Sequence, residues 1–332
     1  MKSNVVATSG GRARVDNPSA LLGLVSRHRV AASAAILAAL PVLLPYPALA
    51  INILIYGLFS TGFNLVFGYT GLLSLGHAAL FGSGAYGCGI AIAVLGWPWY
   101  VAIIAGIGFS LIAAALIGGL AIRTRGVYFG MVTLALAQCL YFLFYQWVSV
   151  TGGESGLRGV MVPAIDIGPV HVNLFDPLQK YYFLLLFVVL ALAVFSRILE
   201  SPFGAVIEGV RENENRARAS GYNIWLIKWM SFVLSGVFCG LAGALNAIHL
   251  GVVSIDSLFY TTSGTVVMMV LLGGMGTFFG PFIGAAAFLS LEDATSGWTS
   301  HWQLIAGLVF IACVRFFPQG VWGSLLTRFR AS

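Results

Sequence analysis

The chain has 332 residues, 59% hydrophobic and 8% charged, with a formal net charge of +6 and a mean hydropathy of +0.94. An ordinary soluble domain is about one quarter charged, so a water-soluble globule is excluded. The basic residues sit in short segments between apolar runs and form no single basic face, which argues for a membrane topology signal and against a nucleic-acid partner.

Runs of roughly 18 or more nearly uncharged residues follow one another along most of the chain, the pattern of membrane-spanning helices. The short alternating runs of a transmembrane barrel are not seen. The expected fold is an all-α integral membrane protein, a polytopic helical bundle of about ten spans (eight to ten), with glycine-broken helices at membrane depth. Residues 1–29 are polar and basic, with Arg12, Arg14, Arg27 and Arg29, and read as a disordered segment. The first apolar run, VAASAAILAALPVLLPYPALA, ends in Ala48, Leu49 and Ala50, which resembles a signal-peptidase site. The long basic leader, the prolines and the immediate second run favour a retained first span. Further spans are expected near residues 50–67, 80–95, 101–121, 127–148, 181–197, 228–249, 262–273, 279–293 and 302–317. The transmembrane domain then covers 30–320, with an outer loop at 149–180, an inner loop at 198–227 and a tail at 321–332.

An even count of spans places both ends on one side. Counting Lys and Arg near span ends makes that side cytoplasmic: Arg27 with Arg29, Arg123 with Arg125, Arg211 with Arg216 and Arg218, and Arg328 with Arg330 all fall there. The 149–180 loop holds only Arg158 and Lys180 and falls outside.

Cys88, Cys139, Cys239 and Cys313 lie far apart inside apolar runs and read as small buried hydrophobes. No nucleophile triad and no metal-ligand set occurs, so no catalytic residue, metal site or bound cofactor is expected. A gradient-driven carrier usually keeps ionisable residues at membrane depth. Here Glu292 and Asp293 sit at the outer end of a span, Asp256 in an outer loop and Arg315 near the inner face. Polar residues at depth include Asn64, His77, Gln138 and Asn246, and helix-to-helix hydrogen bonding accounts for the three amides taken singly. The chain also lacks a G-x-x-x-x-G-K-[ST] phosphate loop, so energy for uphill transport must arrive from another subunit.

The inner loop offers a place for it to arrive. In SPFGAVIEGVRENENRARASGYN, Ser201 to Asn223, the composition predicts one helix over Ala205–Ala219 that ends near Gly221. Glu208, Arg211, Glu212, Glu214, Arg216 and Arg218 make it too polar for the bilayer. It would offer charge and a small-residue edge, Ala217, Ala219 and Gly221, to a partner. The competing account is a solvated helix held by pairs such as Glu212 with Arg216, worth about a few tenths of a kcal/mol each.

The stretch GYTGLLSLGHAALFGSGAYG, Gly68 to Gly87, carries six glycines. Gly82, Gly84 and Gly87 fit close helix packing. Gly68, Gly71 and Gly76 alternate with Tyr69, Thr70, Ser74 and His77 and are expected to break the second span from the third. Ser74 is the expected N-cap of a helix from Leu75, aiming open N–H groups at the break, where a substrate carboxylate can rest. The second glycine-rich break, Gly273 to Gly284 with Pro281, would form the opposing wall. Tyr69, Thr70, Ser74, Gly76, His77, Gly273 and Gly274 are thus the candidate pathway residues. The competing account makes the glycines packing contacts and His77 a satisfied interior histidine.

These segments resemble the M-type permease subunit of ABC importers for branched-chain amino acids. GYTGLLSLGHAALFGSGAY resembles that family's most recognisable segment, and SPFGAVIEGVRENENRARASGYN resembles its cytoplasmic coupling loop. TGGESGL from Thr151, LLGGMGTFFGPFIGA from Leu271 and FFPQGVWG from Phe316 also match, in order, so the resemblance covers nearly everything from about residue 30. It implies a multi-pass subunit of the bacterial inner membrane, paired with a homologous H-type permease. It further implies two cytoplasmic ATP-binding subunits that use ATP and magnesium, and a periplasmic substrate-binding protein. Glu208, Arg211, Glu212, Glu214, Arg216, Ala217 and Gly221 would then be the ATPase-coupling residues. The chain itself would be a translocation subunit and no enzyme, with Leu, Ile and Val as default cargo. Related permeases for urea, short amides or aromatic acids share these segments, and a stand-alone channel or gradient-driven carrier is the alternative of a different class.

Overall fold

Among the described residues, ten apolar helices of 14 residues or more form, six before the polar inner loop and four after it. They are seen in a computed structural model that describes residues 29–162, 164–167, 170–297, 301–316, 320, 322 and 323. The basic segment read over 1–29 lies outside the described residues except for Arg29. So does most of the 321–332 tail.

The first six are α1 (Arg29–Leu43), α2 (Pro47–Asn64), α3 (His77–Ala93), α4 (Trp99–Ala121), α5 (Val127–Gln146) and α6 (Pro177–Glu200). Two polar helices follow, α7 (Pro202–Glu212) and α8 (Glu214–Ala219). The last four are α9 (Ile224–Leu250), α10 (Tyr260–Gly273), α11 (Gly280–Ser296) and α12 (Trp302–Phe316). Five segments are long and apolar enough to cross a membrane by length and composition: Pro47–Tyr69, Trp99–Ala121, Val127–Gln146, Pro177–Glu200 and Ile224–Leu250. α10 has 14 residues; at ~1.5 Å per residue it falls short of a hydrocarbon core ~30 Å thick.

Boundaries differ from the sequence expectation where proline and glycine act. The run read as one span over 30–50 is two elements, because Pro41 lies near the end of α1 and Pro47 starts α2. α2 then widens its tail into a π-helical turn over Leu65–Tyr69, where both the N–H and the hydroxyl of Thr70 donate to the Leu65 carbonyl at 3.2 and 2.9 Å. Such turns are rare and concentrate at functional positions.

α2 is the central helix, buried along nearly all of its length, and α9 is similarly enclosed. α3, α4 and α9 cross through small residues: a Cβ on Gly84 would lie 2.3 Å from the Gly240 carbonyl oxygen, and one on Gly106 would lie 2.6 Å from that of Gly84. Backbones approach this closely in membranes because packing replaces the hydrophobic drive. The outer faces of α4, α5 and α6 carry exposed apolar side chains such as Leu116, Met131 and Leu190, as lipid contact requires.

Four short strands were not anticipated. β1 (Leu157–Arg158) pairs antiparallel with β4 (Val252–Val253), tying the 149–180 loop to the α9–α10 connection. β2 (Ala164–Ile167) and β3 (Val170–Asn173) form a hairpin within that loop.

Candidate functional site

The polar inner loop is a pair of helices with a corner. α7 is strongly amphipathic: Gly204, Ile207 and Val210 are buried against the bundle, while Glu208, Arg211 and Glu212 are exposed. Its start is capped by the Ser201 hydroxyl, which accepts the Gly204 N–H at 3.4 Å, with Pro202 in the first turn. The single helix expected over 205–219 does not form. Asn213 is extended and its side chain accepts the Arg216 N–H at 3.0 Å, so it caps a second helix, α8. An Asn at the centre of a polar run is a preferred N-cap, and this was the available signal. The corner separates Glu212 from Arg216, which do not pair. Glu214 instead makes an ion pair with Lys228 of α9, whose side chain is buried. Ala217 packs partly against the core, whereas Ala219 and Gly221 are exposed. Gly221 takes a positive φ of +89° just past the end of α8, as expected of a helix stop.

Arg211 also reaches inward, although it is exposed. Its guanidinium donates to the carbonyl of Gly68 at the end of α2. The side chain passes between the two glycine-rich breaks. A Cβ on Gly71 would lie 3.1 Å from Arg211 Cγ, and one on Gly276 would lie 2.9 Å from its Nη1.

The same two breaks are clamped by Asn64. Its Nδ2 donates to the Thr277 carbonyl and its Oδ1 accepts the Gly276 N–H, both at 3.0 Å. Gly68 has to be glycine here, since a Cβ would sit 2.0 Å from Asn64 Oδ1 and 2.5 Å from the Gly276 nitrogen. Arg211, Asn64, Gly68 and Gly276 therefore form one node that joins the surface helix pair to both breaks.

Ser74 and His77 belong to a different structure. The Ser235 hydroxyl donates to the Gly62 carbonyl at 2.6 Å, so it accepts from His77 Nε2 at 3.0 Å. That fixes the proton on Nε2, and Nδ1 accepts from the Ser74 hydroxyl at 3.0 Å. Ser74 in turn accepts the Gly76 N–H at 3.2 Å. Every proton in the chain is used, and the residues are fully buried, with Phe63 and Phe232 edge-on to the imidazole.

The helix expected to start at Leu75 with Ser74 as its cap is corrected in the same place. α3 begins at His77 with Gly76 at the cap position. The N–H groups expected to be open are taken: Leu75 donates to the Thr133 hydroxyl at 3.1 Å, Ala78 to the Ser263 hydroxyl at 2.8 Å and Ala79 to the Gly76 carbonyl at 3.1 Å. Thr70 is buried, Tyr69 packs edge-on to Phe195, and Gly273 and Gly274 are buried at the second break. A Cβ on Gly273 would meet the Gly280 carbonyl oxygen at 1.9 Å, so that turn closes on itself. Of the three interior amides, only Asn64 makes the expected cross-element bonds. Gln138 buries its Nε2 without a partner, and the Asn246 side chain has none among the described residues.

A multi-pass helical bundle whose broken interior helices are tied to an amphipathic surface pair has the build of a membrane transport subunit. The chain belongs to the family described as branched-chain amino acid transport system, permease component, whose profile matches residues 47–314. It is 30% identical over 288 residues to the high-affinity branched-chain amino acid transport system permease protein LivM of Escherichia coli (strain K12), covering 81% of this chain and 68% of that one. It is also similar to LivH of the same organism, at 23% over 293 residues, covering 81% of this chain and 91% of the relative. The guanosine ABC transporter permease protein NupQ of Bacillus subtilis (strain 168) is 28% identical over 206 residues, 60% of this chain and 63% of that one. No solved structure matches the chain significantly.

Proposed function

We propose that this chain is the translocation subunit of an ATP-driven importer for branched-chain or closely related amino acids. It pairs with a homologous permease in the bacterial inner membrane, both termini in the cytoplasm. Two ATP-binding subunits engage the α7–α8 face and a periplasmic binding protein delivers cargo at the opposite end. The observation that carries this reading is the Arg211 contact with Gly68. The charged face of α7 is free to meet a partner while its apolar face and Arg211 hold the junction of both helix breaks. Motion imposed on α7 by an ATPase would be passed to Gly68 and Gly276, and through them to the inner ends of α2, α10 and α11. Tyr69, Thr70, Gly273 and Gly274 flank that junction. Ser74, Gly76 and His77 act as the fixed wall against which it moves.

The relatives named for branched-chain amino acids set the default cargo, and the relative named for guanosine puts a nucleoside in the assay set. The test is reconstitution with the cognate ATPases and binding protein, measuring uptake of leucine, urea, an aromatic acid and guanosine. Wild type should accumulate leucine only with ATP. The complex carrying Arg211→Ala should keep the ATPase activity of its ATP-binding subunits while uptake falls by about tenfold or more, the equivalent of ~1.4 kcal/mol. Accumulation against a gradient by this chain alone in liposomes would overturn the importer reading, and full uptake by Arg211→Ala would overturn the coupling route.

A further inference from the structure

At the end of the bundle away from α7 and α8, α2, α9, α10 and α11 enclose a cavity of about 540 Å³. That lies within the range of small-ligand sites, about 300–1,000 Å³. Three carboxylates line it, Asp256, Glu292 and Asp293, and no lysine or arginine does. Two of the three are engaged: the Tyr46 hydroxyl donates to Asp293, and the Ser254 hydroxyl donates to Asp256 at 2.9 Å. Glu292 is half-buried and has no side-chain partner among the described residues.

A second observation is independent of the acids. Asn246 faces the cavity with 7% of its surface exposed and no hydrogen-bond partner among the described residues. Its carboxamide opens into the cavity, so its hydrogen-bonding groups are available to whatever occupies that space. Asn52 and Tyr56 of α2 line the same space, also without side-chain hydrogen bonds among the described residues. Leu49, Leu250 and Leu289 supply apolar wall.

We infer that this cavity is a receiving site for a zwitterionic amino acid with an aliphatic side chain: Glu292 takes the ammonium, Asn246 and Asn52 the carboxylate, and the leucines the side chain. This rests on the importer reading above, and adds to it a defined place on the membrane subunit itself. The position also lies on the helix that ends at the coupling node. Asn52, Tyr56, Ser60 and Asn64 recur at every fourth residue of α2, a series of polar side chains that winds from the cavity to the Asn64 clamp.

The experiment uses the assembled importer in right-side-out vesicles, with Cys139 and Cys313 replaced by alanine and Ser257→Cys at the cavity rim as reporter. For a weak site with Kd of ~1 mM, ~10 mM leucine should slow labelling by a membrane-impermeant maleimide about tenfold. 4-Methylpentanoate, which has the side chain and carboxylate but no ammonium, should not protect. Glu292→Gln should abolish protection by leucine while leaving the unprotected labelling rate and assembly unchanged. Equal protection by 4-methylpentanoate, or full protection in Glu292→Gln, overturns the inference. ATP-driven uptake measured on the same preparations separates the two claims. Uptake without protection removes this site and leaves the importer reading standing, whereas protection without uptake of any amino acid removes the importer reading and keeps the site.

Discussion

His77 carries the clearest residue-scale lesson. In sequence it is a lone histidine among glycines near an expected break, and such a residue reads equally as a pathway group or as interior structure. The hydrogen-bond chain from Gly76 through Ser74, His77 and Ser235 to the Gly62 carbonyl joins the start of α3 to α9 and α2. Replacing the imidazole by a methyl group leaves the Ser74 hydroxyl short of its acceptor, removes the donor to Ser235, and opens a cavity between Phe63 and Phe232. His77→Ala should therefore destabilise the folded protein by ~3 kcal/mol. Thermal unfolding followed by size exclusion in detergent measures this. Unchanged stability with impaired uptake would return His77 to the pathway. Asn64 teaches the converse. Its interior hydrogen bonding was legible from residue type and setting, but its partners were not, because Thr277 and Gly276 lie more than two hundred positions away.

At the scale of elements, composition and local stops reveal most of what forms. The apolar runs locate all ten apolar helices, and the glycine clusters locate both breaks. Caps explain where the reading slipped. Pro47 and Asn213 each start a helix inside a segment whose average composition is uniform, so a reading by composition runs across them. The hairpin of β2 and β3 gives only a short signal inside a loop, too brief for periodicity to declare. The pairing of Glu214 with Lys228 was hidden for a related reason: the corner at Asn213 turns Glu214 toward α9 and away from its helical neighbours. Lys228 is 7% exposed overall and the Glu214 side chain 39% exposed, so the pair stands between a surface bridge and a buried one. Glu214→Lys should then cost ~2 kcal/mol, between values for exposed pairs and for buried charges left without a partner. The swap Glu214→Lys with Lys228→Glu should recover most of it. A double-mutant cycle on thermal stability checks this, and strictly additive losses would mean that the pair contributes nothing.

At the scale of the whole molecule, the short arginine-bearing loops gather at one end of the bundle, where Glu200, Glu208, Glu212 and Glu214 lie among them. Arg123 and Arg125 between α4 and α5 lie at the end shared with α7 and α8, and Asp176, Asp256, Glu292 and Asp293 lie at or near the other. Short basic loops stay on the side of synthesis, so the α7–α8 end should face the cytoplasm. This orientation does not depend on how many helices cross completely. α10 and α11 run out and back between the Asp256 connection and Ser296, so the pair enters and leaves on one side whether or not it reaches the far interface. α1 has 15 residues, yet it leads from Arg29 to α2, whose segment is long enough to cross back. Parity therefore survives the short helices. In intact spheroplasts with Cys139 and Cys313 replaced by alanine, an impermeant maleimide should label Phe175→Cys, at an exposed position before α6. Ser220→Cys, exposed after α8, should stay unlabelled until the membrane is permeabilised. The opposite pattern would turn the bundle over and place the charged face of α7 outside, where no ATP-binding subunit could reach it. Labelling of both sites in sealed cells would show that the α6 crossing between them is not made, which no arrangement of these helices as a coupled importer allows.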